Sequence, residues 1–327
     1  MKKTIIFIFV LLLAVSVNIY AAENLDYLHA HLREIKGHTN YNIKNIEKYI
    51  ENNSASDLIE ILKKIYGSID SYSTFYSGDE LKVNIFDKNN DSINKSIEYE
   101  IKDDIGYIYI YTFNDNIYDK TVDILKIMDD EKINKIVLDL RNNSGGDIME
   151  SIKTAKLFVK EGLIAKIHYY SQEIEDKEYY SNLKELKYNL IVLVNEETAS
   201  AAELFAGAVQ DSESGYLVGS KTFGKAKTQK MIPVITEKAY IRNELYKEPT
   251  VNLFKAMDHG SIIYDEDLLG WAKLTVGCFY NRSGKEIDGK GIEPDYVYSF
   301  SEGEEYMKIL FNELFALPKA IQLHVES

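Results

Sequence analysis

An α/β core is the fold class that this sequence predicts, and three observations carry it. After Asp104, short apolar runs of strand length recur as IGYIYIYTF (105–113), KIVLDL (135–140), LIAKIHYY (163–170), NLIVLVN (189–195) and YLVG (216–219). Between them lie stretches of helical periodicity near 119–130, 147–160 and 201–210, and strands alternating with helices imply crossover connections. The chain is also long and apolar enough for a substantial core: 327 residues, 45% hydrophobic, with 25 tyrosines that argue against disorder.

The segments around that core read as follows. Residues 1–22 place Lys2 and Lys3 before an apolar run from Ile5 to Val17, the charge-then-apolar order of an export signal or N-terminal anchor. Cleavage after Ala21 leaves Ile19 at the third position back, where a small residue is usual, so both a cleaved signal and a retained anchor stand. Either way the rest of the chain is expected outside the cytoplasm, extracellular, periplasmic or envelope-associated, with membrane association possible through this segment. In residues 23–76 the apolar positions Leu28, Leu32, Ile35, Ile43, Ile46, Ile50, Leu58, Leu62 and Ile65 recur at steps that give short amphipathic helices. Residues 77–104 are polar and turn-rich and read as a short connector. The core spans 105–300, with a charged, irregular surface insertion at 236–262 and a further strand-rich part around Ala272–Tyr280. Residues 301–327 form a helical tail, and no repeat is found.

Composition excludes several functions. A net charge of −14, with no Lys/Arg cluster interleaved with aromatics, argues against nucleic acid as a partner. The single cysteine, Cys278, cannot form an intrachain disulfide and lies in an apolar stretch, where a buried structural thiol is expected. No H-E-x-x-H occurs, and His29 and His31, two apart on a helix, point to different faces, so a zinc site is not expected.

Three segments carry chemistry-bearing residues. NLIVLVN runs through Glu196, Glu197 and Thr198 into ASAAELFAGAVQ, so that Ser200 and Ala201 open a helix after a strand, beside free N–H groups and the positive end of the helix dipole. Read alone, Ser200 or Thr198 is a helix cap. VLDLRNNSGGDI (137–148) ends a strand with Gly145 and Gly146, which free the backbone to aim N–H groups at a ligand as an oxyanion hole requires, or simply make a turn. KTFGKAKTQ (221–229) places Lys225 after Gly224. A lysine there is a solvated side chain unless burial disfavours its ammonium form and makes it a base.

Taken in order, DLRNNSGG, LVNEETASAAELFAGAVQD, LVGSKTFGKAKTQ and LTVGCFYNRSGKEIDGKGIEPD resemble the C-terminal processing peptidases, or tail-specific proteases, over about residues 57–297. The resemblance implies a crotonase-like or ClpP-like ββα superhelix as the protease core, joined to a small helical N-terminal region. It implies Ser200 as nucleophile, Lys225 as general base and Gln229 as the group that orients the lysine. It places the oxyanion hole at the N–H of Ala201 with that of Gly145 or Gly146. Substrates would be proteins or peptides of the envelope or exterior, and no metal or cofactor is implied. The oligomeric state is left open.

The chain departs from the family's pattern in places. DSYSTFYSGDEL (70–81) resembles the segment that precedes the family's PDZ domain, but too few residues separate it from Ile105 for such a fold, so a PDZ-less member is expected. Ala202 stands where serine is usual and Ala226 where glycine is usual, and NRSG (281–284) lacks the common proline. Without a G-x-S-x-G elbow an α/β-hydrolase layout has no support, and a Ser–His pair would depend on His168. A non-catalytic peptide- or lipid-binding protein on the same fold is the competing reading.

Overall fold

The structure, a computed structural model, describes residues 58–77, 96–114, 116–172, 174–235, 268–298 and 311–316. The N-terminal segment 1–22, most of the expected N-terminal helices, the insertion at 236–262 and most of the tail lie outside the described residues. The chain divides into two compact units, one of Met1–Asn89, Tyr169–Ile174 and Thr228–Gly277, the other of Asn90–His168, Glu175–Lys227 and Cys278–Ser327.

In the first unit, α1 (Leu58–Gly67) packs on β1 (Thr74–Ser77). The contact is made by the apolar stripe of the helix: Leu62, Ile65 and Tyr66 are buried, and the Tyr66 ring stacks on Phe75 with centroids 6.2 Å apart. β1 runs antiparallel to β10 (Leu268–Asn281), Thr74 facing Lys273 and Ser77 facing Gly270.

The second unit is built on a six-stranded sheet in the order β11-β8-β7-β4-β3-β2. Its strands are β2 (Ile97–Lys102), β3 (Ile105–Ile110), β4 (Lys135–Asp139), β7 (Asn189–Val194), β8 (Tyr216–Gly219) and β11 (Tyr296–Val297). All pairs are parallel except the edge pair β2–β3. Parallel neighbours need crossovers, and α2 (Ile117–Asp130), α3 (Ile148–Ala155) and α4 (Ala201–Asp211) supply them, α3 packing against both of the others. Successive crossovers that step along a sheet in one direction with one hand place their helices on one face. The opposite face carries Ile105, Val137, Ile191, Leu193, Tyr216 and Val218, covered by Tyr298, Phe311 and Leu314. Burial on both faces is why KIVLD and NLIVLV read as continuous apolar runs. β5 (Gly162–Tyr169) and β6 (Lys177–Ser181) pair as an antiparallel hairpin, which belongs to this unit up to His168 and again from Glu175.

The α/β class is as the sequence predicts, with differences in detail. Residues 97–102 form β2, a strand whose Ile-Glu-Tyr-Glu-Ile-Lys alternation suits a half-exposed edge. The helix expected over 147–160 stops at Ala155, where its last turn tightens: Leu157 N–H bonds Thr154 O and Phe158 N–H bonds Ala155 O. Cys278 is only partly buried, because it lies one position out of phase with the buried Phe279 on β10.

Phe205 of α4 is fully buried, its ring 6.1 Å from that of Phe113 and 6.0 Å from that of Phe158. Phe205→Ala is expected to cost about 3–5 kcal/mol of unfolding free energy, read from urea denaturation.

Candidate active site

Parallel strands end at the same edge of their sheet, and the three loops that leave that edge carry the residues singled out above. The glycine turn follows β4, the Ser200 turn follows β7, and the lysine loop follows β8. The carboxyl edge of a parallel sheet is where α/β folds place their chemistry.

Ser200 occupies the N-cap position of α4 with φ 56° and ψ −120°, a region that L residues rarely occupy, and the residue is 9% exposed. Such strain persists only where the surroundings impose it. They do so here: Ala199 donates its N–H to Asn143 O at 2.9 Å, and the Thr198 hydroxyl donates to Leu140 O at 2.9 Å while accepting the Asn195 N–H at 3.0 Å. Ser200 thus stands at the N-cap position of α4, in a strained strand-to-helix turn.

The glycine turn lies directly against it. A Cβ on Gly145 (φ 109°) would stand 2.7 Å from the Ser200 Cβ and 3.1 Å from the Ala201 nitrogen, so only glycine fits. The Gly145 N–H is donated to the side chain of Asn143 at 2.8 Å. Its carbonyl accepts from Phe113 N at 2.8 Å and from the Thr112 hydroxyl at 3.1 Å. In a trans peptide the C=O and the next N–H point in opposite directions, so these two bonds turn the Gly146 N–H away from Phe113. Asn143, fully buried, holds the turn at three points: its amide nitrogen donates to Ile110 O at 2.8 Å, its amide oxygen takes the Gly145 N–H, and its carbonyl takes the Ala199 N–H. Asp147 then caps α3, accepting from Met149 N at 2.6 Å and Glu150 N at 3.1 Å.

The lysine loop is joined to the serine turn by Glu203, a fully buried residue of α4. One carboxyl oxygen accepts the Ser200 N–H at 2.9 Å and the Lys225 N–H at 2.8 Å; the other accepts the Thr222 hydroxyl at 2.5 Å and the Gly224 N–H at 2.7 Å. The main chains of Ser200 and Lys225 thus share one acceptor atom and lie within two hydrogen-bond lengths of each other. Residues 286–295 brace the loop from behind. Ile292 N–H bonds the Thr222 hydroxyl oxygen at 2.7 Å, Gly289 N–H bonds Gly224 O at 2.8 Å, and the Asp288 carboxylate accepts the Ala226 N–H at 3.1 Å. Lys225 itself is partly buried.

Gln229 belongs to the first unit, on β9 (Lys227–Ile235), where its side-chain nitrogen donates to the Tyr72 carbonyl at 2.7 Å. His168 is paired with Asp176 at 2.9 Å on the β5–β6 hairpin and is 45% exposed. His29 and His31 lie outside the described residues, and among the described residues no group of three or more His, Cys, Asp or Glu could hold a metal ion.

Glu203 and Asn143 are not among the residues that the sequence marks out. Glu203 has a visible signal, since S-x-x-E at a helix start is a capping box. That motif explains the bond to the Ser200 N–H but not the three to a loop some twenty residues on.

The family model for Peptidase family S41 matches residues 104–298, more than half of the chain. The chain belongs to that family. Curated relatives include a probable CtpA-like serine protease of Staphylococcus haemolyticus, 33% identical over 205 residues, or 62% of this chain and 34% of the relative. Another of the same name from Staphylococcus aureus is 32% identical over 203 residues, with the same shares covered. The chain spans about a third of the length of these relatives. The fold is also that of a lipoprotein from Streptococcus agalactiae, with a TM-score of 0.59 at 14% identity over 89% of this chain and 96% of that one. A putative peptidase from Parabacteroides merdae gives a TM-score of 0.50 at 16% identity over 85% and 90%. The S41 match covers the glycine turn, Ser200, Glu203, Lys225 and Gln229.

Replacing Glu203 by leucine strands three backbone N–H groups and one hydroxyl. Each buried unsatisfied donor costs about 1–3 kcal/mol. The variant is expected to lose several kcal/mol in chemical denaturation. Glu203→Gln, which keeps one accepting oxygen, is expected to lose less, with hydrogen-exchange protection falling at the amides of Ser200, Gly224 and Lys225.

Proposed function

We propose that this S41 chain is a serine endopeptidase that hydrolyses peptide bonds of envelope or extracellular proteins through a Ser200–Lys225 dyad and an acyl-enzyme. The observation that carries the reading is the Glu203 carboxyl group, which grips the main chain of both residues at a single oxygen. A dyad needs two side chains held at fixed separation, and a protein that only binds peptides has no use for that tie.

In this mechanism neutral Lys225 takes the proton of the Ser200 hydroxyl as its oxygen bonds to the substrate carbonyl carbon. The oxyanion so formed is met by the Ala201 N–H, which as a first-turn helix group has no intrahelical partner, and by a glycine N–H. Of the two glycines, Gly146 fits, because the Gly145 N–H is already donated to Asn143. The C–N bond then breaks, Lys225 returns the proton to the leaving amine, and water hydrolyses the ester by the same route. Gln229 orients the lysine. Recognition of substrate tails without a PDZ domain would fall to the groove or to the helical N-terminal part, and residues 1–22 would export the protein or tether it at the envelope.

Casein degradation by wild type, Ser200→Ala, Lys225→Ala and His168→Ala tests this. Wild type and His168→Ala are expected to degrade casein at similar rates, and the other two to lose roughly 100-fold or more. Equal activity in wild type and in the Ser200 and Lys225 variants would sink the dyad. A folded wild type that neither degrades casein nor is labelled at Ser200 by a fluorophosphonate points instead to a non-catalytic binder.

A further inference from the structure

The mechanism gives no task to the side chain of Asn195, the first residue past β7, where the chain sets out toward Ser200. Its amide oxygen accepts the Asn142 N–H at 2.9 Å and the Glu197 N–H at 3.2 Å, and its amide nitrogen donates to the Asn142 side-chain oxygen at 2.7 Å. The two N–H groups only donate, so they decide which way round this amide stands, and Asn142 is gripped at main chain and side chain together. The main chain of Asn195 is fixed as well. Its N–H goes to the Thr198 hydroxyl and its carbonyl accepts the Thr198 N–H, both at 3.0 Å.

What Asn195 grips is the head of the glycine turn. Residues 140–143 make a turn closed by the Asn143 N–H on Leu140 O at 3.2 Å, with Asn142 third in it at φ 61°. Positive φ at that place suits glycine or asparagine, and it persists where neighbours impose it. Asn143 comes next, and its side chain takes the Gly145 N–H while its carbonyl takes the Ala199 N–H. The sheet ties β4 and β7 as far as the Leu140 N–H on Leu193 O. Past that point the glycine turn and the serine turn leave the ladder, and the bonds between Asn142 and Asn195 join them again at once.

The oxyanion hole proposed above draws one N–H from each turn, that of Gly146 from the first and that of Ala201 from the second. It works only while both point at the place where negative charge develops. A tie between the turns therefore acts on the transition state, not on substrate affinity or on the base. We propose that Asn195 is a positioning residue of the hydrolytic site, whose amide clasps Asn142 and so keeps the Gly146 N–H in register with the Ala201 N–H. The inference rests on the Ser200–Lys225 reading and adds to it a residue that touches neither substrate nor the reacting atoms.

Kinetics of the full chain on fluorescein-labelled casein test it, with fluorophosphonate labelling of wild-type Ser200 run alongside. Asn195→Ala is expected to lower kcat roughly 10- to 100-fold with KM little changed. The pH at which kcat/KM rises, set by the base, is expected to stay where it is in wild type. Asn195→Asp keeps an oxygen for both N–H groups but sets a second oxygen against that of Asn142, and is expected to be slowed as well. Adding Asn142→Gly removes the opposing oxygen and suits a positive φ, so the double variant is expected to recover most of what Asn195→Asp loses. Should Asn195→Ala fail to fold, Asn195→Asp and this double variant carry the test, since aspartate has the same shape as asparagine. An unchanged kcat in Asn195→Ala, an effect confined to KM, a shifted pH profile, or losses that multiply in the double variant would each overturn the proposal. A wild type that neither degrades casein nor is labelled overturns the hydrolase reading and this inference with it, a result distinct from an active wild type whose kcat ignores Asn195.

Discussion

The arrangement of this molecule depends on one buried carboxyl group. Glu203 sits in the first turn of α4 with donors on both oxygens, three of them backbone N–H groups and one a hydroxyl. Burying such a group without partners would be costly. With four donors supplied, it fixes the loop after β8 against the turn after β7. The Thr222 hydroxyl extends the tie, because it donates to Glu203 and accepts from Ile292. Through it the closing GKGIEPD segment is connected to the start of α4 by two successive hydrogen bonds.

What Glu203 joins, the sheet has already brought near. β4, β7 and β8 run parallel and adjacent, so the chain leaves all three at one edge, and each exit is tight for its own reason. Gly145 is needed because its neighbour is the Cβ of Ser200. Thr198 and Asn143 spend their polar groups on main-chain atoms and so hold two loops that lack regular structure of their own. The S41 family match and the solved structures of like fold agree on this scaffold, and the catalytic assignment is built on its edge.

How much of this was legible in the sequence divides by the range of the interactions. The strands buried on both faces and the helices between them announce themselves by composition and period, and YLVG is found at its expected bounds. β1, β2, β6 and β9 do not, because they are half-exposed or short and owe their extended form to partners far along the chain, as Thr74 does to Lys273. At the site, the glycine turn and the serine at a helix start are local patterns and were readable. Glu203 was not, since nothing in S-x-x-E says that the same carboxyl group also holds Thr222, Gly224 and Lys225.

The bonds that the Glu203 carboxyl group makes to Ser200 and Lys225 go to their backbone nitrogens. The grip on the two loops is therefore indifferent to what those residues carry beyond Cα. Either side chain can be cut back while these main-chain bonds keep the two loops in register. On the proposed mechanism, a chain altered in this way would serve as a snare, holding its polypeptide substrate long enough to be recovered and identified.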